Sequence, residues 1–153
     1  RFSAKLLGDE NFTEFFKRNE EEPALVKINN SLRMQDEIVK TIEKYKSEGF
    51  SSIAMICKNR KEASDLYFKL SSKTKVKLID YLDYDSVLEG TLILPVYLAK
   101  GLEFDAVIVY EANDKQYNTK YDKKLLYIAC TRALHRLSVF YTGKMTRFLE
   151  DLR

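Results

Sequence analysis

Thr91–Tyr110 reads TLILPVYLAKGLEFDAVIVY, and this stretch decides the fold. Thr91–Val96 and Asp105–Tyr110 are near-continuous apolar runs, and Ala99–Phe104 (AKGLEF) lies between them as a polar hinge. Runs without polar alternation indicate strands covered on both faces, the habit of parallel sheets in α/β domains. Ligands in open α/β sheets collect outside the carboxyl ends of strands. A loop carrying Lys100, Gly101 and Glu103 is therefore expected at such an end, as the first place to look for chemistry.

The same grammar repeats outward. Toward the N-terminus, Ser52–Cys57 (SIAMIC) is a buried strand and Ala24–Asn29 a shorter one. Between them Leu32, Ile38, Val39, Ile42 and Tyr45 recur at helical spacing, with Ser31 as the expected cap and Gly49 as the stop. Asn59 and Glu62 form a cap-like N-x-x-E before a helix using Ala63, Leu66, Tyr67 and Leu70. Lys73–Leu78 alternates, with lysines on one side, as a half-buried strand guarded at its edge. Phe2, Leu6 and Leu7 predict a helix ended by Gly8, and Asp9–Pro23 a charged surface connection with one helical turn. Toward the C-terminus, Glu111–Tyr121 reads as a loop and Asp122–Leu134 as a helix. Arg136–Thr142 reads as a strand, and Met145, Phe148, Leu149 and Leu152 as a last amphipathic helix. Alternating strands and helices predict a mostly parallel sheet of five to six strands with helices on both faces.

The 153 residues suffice for one domain with a real core, and 45% hydrophobic with 32% charged residues describes a globular chain. No apolar run approaches the roughly 18 residues of a membrane span, and no secretory signal is evident, so the expected location is cytoplasmic. Cys57 and Cys130 sit in apolar stretches and read as reduced core thiols. With one histidine and no paired cysteines, no metal site is expected. A net charge of +3 neither demands nor excludes a local basic groove. The chain opens at Arg1 without a methionine and is expected to be part of a longer protein.

The second informative stretch is LLYIACTRALHRL, Leu125–Leu137, which places Thr131-Arg132-Ala133 inside an otherwise apolar helix. An arginine there is expensive unless something holds it. The pair Tyr97-Leu98-Ala99-Lys100-Gly101-Leu102-Glu103-Phe104 and Tyr127-Ile128-Ala129-Cys130-Thr131-Arg132-Ala133 resembles motifs V and VI of superfamily 1 helicases of the UvrD/Rep/PcrA kind. The family forms are H-S-A-K-G-L-E-F and Y-V-x-x-T-R-A. Both occur here in order, within about the last 60 residues.

The resemblance implies a RecA-like three-layer α/β/α sandwich, the second (2A) of two motor domains, with residues 1–153 as that single domain. In the family ATP binds between the two domains, and the first supplies the Walker A loop, the Mg²⁺ ligands and the catalytic acid. Arg132 is thereby implied to be the arginine finger on the γ-phosphate, a role suited to a planar fork of donors. Glu103 matches the glutamate that contacts the ribose; Gly101 allows close backbone approach, and Lys100 lies in the same loop. The implied partners are the N-terminal RecA-like domain, single-stranded or partly duplex DNA and, for some members of the branch, RNA polymerase.

The chain departs from the pattern in places. Tyr97 stands where the family has a DNA-contacting histidine, and Leu98 where it has serine; a tyrosine can stack on a base instead. Asn59 and Arg60 follow a strand where the family places another single-strand contact, and a helix cap with a solvated charge is the plain alternative. No G-x-x-x-x-G-K-[ST] is present, and Gly143-Lys144 lacks the upstream loop, so the chain alone is not expected to hydrolyse ATP. The short stretch between Leu70 and Thr91 leaves no room for a large 2B insertion, which points to the helicase IV-like branch. The rival readings are an ATP-driven RNA polymerase-associated remodeller and a helicase-like scaffold that binds no nucleotide. His135 reads as a helix-end residue, and Lys100 with Glu103 could be no more than a surface ion pair.

Overall fold

The apolar runs become the centre of a six-stranded sheet in the computed structural model, which describes residues 12–17, 22–83 and 85–152. The strands are β1 (Ala24–Ile28), β2 (Ser52–Cys57), β3 (Lys77–Leu78), β4 (Gly90–Pro95), β5 (Phe104–Val109) and β6 (Ala133–Thr142). Their order is β1-β6-β5-β2-β4-β3, and every pairing is parallel. The helices are α1 (Phe12–Lys17), α2 (Ser31–Ser47), α3 (Arg60–Leu70), α4 (Val96–Ala99) and α5 (Lys120–Cys130), followed by a 3₁₀ turn at Arg147–Leu152.

The strands carry apolar residues on both faces because both are covered. Ile53, Met55, Ile93 and Ile108 pack with Ile38, Ile42 and Leu66 of α2 and α3. Ala54, Ile56, Leu94 and Val109 pack with Phe12, Val96, Leu126, Tyr127 and Leu149 on the opposite side. Full burial of each large apolar side chain contributes about 1.5–3 kcal/mol. This is the expected three-layer α/β/α arrangement. Cys57 and Cys130 are buried free thiols whose pKa values burial pushes up, as suits core residues.

Several local expectations need correction. The Asp9–Pro23 stretch is more than a surface connection: α1 buries Phe12, Phe15 and Phe16, and Phe12 and Phe15 meet the Tyr127 ring edge-on. Three phenylalanines within two turns outweigh the charged residues around them. The helix expected over Phe2–Gly8 lies outside the described residues. Asn30, not Ser31, caps α2 by accepting from Arg33 N at 2.9 Å. Lys73–Leu78 keeps its alternation of exposure, yet only Lys77–Leu78 pairs with the sheet. The last amphipathic segment winds as 3₁₀, tied down where Arg147 donates to both Asp114 carboxylate oxygens.

The largest correction concerns Thr131-Arg132-Ala133. The helix α5 ends at Cys130, Thr131 and Arg132 form the turn, and Ala133 opens β6. The apolar text continues because a buried strand follows a buried helix almost without a break. His135 is accordingly a strand residue, stacked on Phe50 with ring centroids 5.6 Å apart.

Candidate functional site at the amino edge of the sheet

Lys100–Glu103 does not stand at the carboxyl end of a strand. β4 ends at Pro95, α4 turns at that edge, and the chain then crosses the sheet to start β5 at Phe104. A connection between parallel strands must return to the starting edge, so the tail of AKGLEF arrives at the amino ends of β5 and β6. The registers Ile53↔Ala106 and Phe104↔Ala133 fix that level. Asp105 fastens the edge to β2 by accepting from Ser51 N (2.9 Å), Ser51 Oγ (3.0 Å) and Ser52 N (3.3 Å). The Ser51 N–H leads the bonds that hold its carboxyl below the usual range.

The AKGLEF loop and the Thr131-Arg132 turn clasp each other here. Phe104 N donates to Arg132 O at 2.9 Å, and Arg132 Nη1 donates to Leu102 O at 3.2 Å. Arg132 Nε donates to Ile128 O at 3.0 Å, and Nη2 to Thr131 Oγ1 at 3.1 Å. Three of the five guanidinium N–H groups are thus held by neutral oxygens, leaving two for another acceptor. No carboxylate among the described residues forms an ion pair with Arg132. Burial lowers its pKa, with Glu103 and Tyr127 opposing, and the group remains cationic throughout the physiological range.

Lys100, Gly101 and Glu103 are exposed on the loop whose Leu102 and Phe104 hold Arg132, and Glu103 interacts with its charge. Gly101 has φ +85, a left-handed value that disfavours side chains, and an added Cβ would meet nothing within 4 Å. Its glycine is required by the turn in this chain. The arrangement can present one half-buried guanidinium, one lysine and one carboxylate to a bound molecule. The positive pair suits phosphate oxygens and Glu103 suits hydroxyl donors.

Tyr97, Asn59 and Arg60 lie on the opposite edge. Cys57 of β2 pairs with Pro95 of β4, so the residues that follow are neighbours at the carboxyl ends. Tyr97 is 53% exposed and Arg60 is exposed. Asn59 Oδ1 accepts from Glu62 N at 2.9 Å and caps α3. The expected site residues therefore form two groups, one at each edge.

Sequence reasoning missed a polar cluster behind the second group. Lys58 Nζ lies 3.0 Å from Asp122 Oδ1 and 5.7 Å from the centre of the Tyr117 ring. Glu62 Oε1 accepts from Lys58 N at 2.9 Å. Burial pushes the Glu62 carboxyl up to about 7, against the Lys58 N–H and aided by Glu111. The native state thus keeps a proton that the unfolded chain has lost, so stability falls as pH rises from the ordinary glutamate value toward 7. Glu62→Gln, whose amide oxygen retains the Lys58 bond, is expected to be more stable than the parent by about 1–2 kcal/mol at pH 8. The gap should vanish near pH 4. Thermal melts across that range check this, and parallel curves for the two proteins would refute it.

Comparison with known proteins places this architecture. Residues 91–140 match the model of the UvrD-like helicase C-terminal domain. A crystal structure of the C-terminal domain of a possible DNA helicase from Lactobacillus plantarum WCFS1 is similar at 31% identity and TM-score 0.79. It covers 90% of this chain and 84% of that one. An arterivirus nonstructural protein 10 helicase, solved with DNA, is similar at 12% identity and TM-score 0.49. It covers 78% of this chain and 28% of that one, a likeness too slight to carry an argument. Comparison with curated proteins found no match. The chain belongs to the UvrD-like helicase C-terminal domain family.

Proposed function

We propose that this chain is the second motor domain of an ATP-dependent superfamily 1 DNA helicase or translocase. It supplies Arg132 to the γ-phosphate of ATP and part of the contact to single-stranded DNA. The observation that carries the reading is the state of Arg132: a half-buried cation, oriented by three neutral acceptors and paired with no described carboxylate. A structural arginine at such depth ordinarily has an anion of its own. Bound ATP would bring the phosphate charge, Lys100 would add to the positive field, and Glu103 would take a ribose hydroxyl. On this reading Mg²⁺ and its ligands belong to the companion RecA-like domain.

Two groups on opposite edges fit a motor that closes on nucleotide with one edge and touches its track with the other. Tyr97 is the candidate stacking residue, with Arg60 beside it for the phosphate backbone and Asn59 able to contribute through its amide nitrogen. The twenty residues between Leu70 and Thr91 favour a branch without a large inserted subdomain. No helix among the described residues is long and apolar enough to cross a membrane, and a cytoplasmic place fits that.

The test uses the intact protein. Single-stranded DNA should stimulate ATP turnover, and Tyr97→Ala should weaken DNA binding about tenfold, the scale of one lost base stack. Stimulation by RNA polymerase in place of DNA would shift the reading to a polymerase-associated remodeller. Turnover without stimulation by DNA and with unchanged DNA binding in Tyr97→Ala would refute the track assignment.

A further inference from the structure

We infer that Thr131 is a positioning residue, whose hydroxyl sets the direction in which Arg132 presents its charge. The inference rests on the reading that Arg132 meets the γ-phosphate. Thr131 is buried, and its Oγ1 does two things at once: it donates to Ile128 O at 3.1 Å and accepts from Arg132 Nη2 at 3.1 Å. Ile128 O also accepts from Arg132 Nε at 3.0 Å. The guanidinium edge formed by Nε and Nη2 thus grips a carbonyl and a hydroxyl that are themselves bonded to each other. The third tie, Nη1 to Leu102 O at 3.2 Å, joins the ring to the AKGLEF loop.

In this network Thr131 Oγ1 is the one side-chain acceptor; the other two are backbone carbonyls. A single planar group held at three points cannot rotate about its last torsion without breaking a bond. The two N–H groups left over therefore point in a fixed direction. Electrostatic stabilisation of a transferring phosphoryl group depends on such prior orientation, because reorientation at the moment of reaction is avoided. Thr131 fits that need chemically, since a hydroxyl can accept from a cation while donating to the carbonyl beneath. Valine has nearly the same shape and can do neither. Serine can do both.

The test compares Thr131→Val with Thr131→Ser. In the 153-residue chain, ¹⁵N NMR of the Arg132 Nε–H should give a dispersed, slowly exchanging signal in the parent and in Thr131→Ser. That signal should collapse toward the solvent-averaged position in Thr131→Val. In the intact protein, Thr131→Val should lower kcat for ATP about 10- to 100-fold, the scale of a misplaced catalytic group. KM should change by less than about threefold, and Thr131→Ser should stay within about twofold of the parent. In an Arg132→Ala background Thr131→Val should cost nothing further.

A Thr131→Val protein with parental kcat and a parental Nε signal would overturn the inference. So would equal losses in the serine and valine variants, or an added loss in the Arg132→Ala background. If the valine variant does not fold, the serine variant and Thr131→Ala decide by the same signal and the same background. An Arg132→Ala protein with near-normal turnover would instead remove the underlying reading of the finger, a different failure from an intact finger indifferent to Thr131.

Discussion

Replacing Arg132 with alanine in the intact protein should cut ATP turnover by about 10³-fold or more while leaving ATP binding largely in place. Arginine fingers elsewhere act on this scale because the charge they stabilise spreads over the phosphoryl oxygens chiefly in the transition state. The side chain is suited to that role by what surrounds it. Three neutral oxygens orient it, at 3.0 Å (Ile128 O), 3.1 Å (Thr131 Oγ1) and 3.2 Å (Leu102 O), and none cancels its charge. Steady-state kinetics with an independent measure of nucleotide affinity checks the prediction. A loss under tenfold would count against the assignment, and so would equal losses of binding and turnover. Arg132→Lys should recover little, since an ammonium cannot keep the planar grip on Ile128 and Thr131.

The largest effect on stability is expected at Asp122, on the other edge of the sheet. Its Oδ2 accepts from Asn118 N and Thr119 N, both at 3.0 Å, closing a capping box at the start of α5 with Thr119 Oγ1. Its Oδ1 lies 3.0 Å from Lys58 Nζ. Removing the carboxylate leaves two donors and a mostly buried ammonium without it. Lys58 Nζ keeps the Gln116 carbonyl at 2.5 Å, so Asp122→Ala should cost about 3 kcal/mol, more than a lost cap alone and the low end for a broken buried pair. That corresponds to a melting temperature lower by roughly 6–12 °C for a chain of this size.

Burial raises the Asp122 pKa, and the Asn118 and Thr119 N–H groups with Lys58 outweigh it, so the carboxyl lies below the usual range. For a depressed carboxyl the stabilisation is fully present above the unfolded value near 3.9 and is lost as pH falls through the lower native value. The gap between parent and Asp122→Ala should shrink in strong acid. Urea melts at neutral pH and near pH 2.5 check both statements. A neutral-pH difference under about 1 kcal/mol, or a gap unchanged in acid, would contradict them.

The sheet was legible in the sequence because its central strands have no polar face. SIAMIC, TLILP and DAVIV each read as covered on both sides, and all three are central strands. Helix α2 was legible from Ile38, Ile42 and Tyr45, which share one buried stripe. Boundaries were harder where one buried element runs into the next. Nothing polar separates Ala129 and Cys130 from Leu137 except the Thr131-Arg132 turn and the exposed start of β6, so no break in the apolar text marks the end of the helix. Lys73–Leu78 misled in the opposite direction: alternation of exposure persists through an unpaired segment, and the ladder itself needs a neighbour that only Leu92 and Ile93 supply.

The candidate site residues were legible as text and not as places. The loop carrying Lys100, Gly101 and Glu103 meets Arg132 through Leu102 and Phe104, at the edge opposite to the one expected for ligands in open α/β sheets. The cause is the brevity of the β4–β5 connection, which spends its one helical turn at the carboxyl edge and delivers its polar tail to the amino edge. The hydroxyl of Thr131, the carbonyl of Leu102 and the Lys58–Asp122 pair depend on contacts between distant segments, and no local spacing announces them.

A structure of the intact protein with ADP and aluminium fluoride, which mimics the transferring phosphoryl group, tests the place of Arg132 most directly. The Arg132 guanidinium is expected within about 3 Å of a fluoride, its Nε still on Ile128 O. An Arg132 more than about 6 Å from the fluoride, with another arginine in its place, would contradict that assignment.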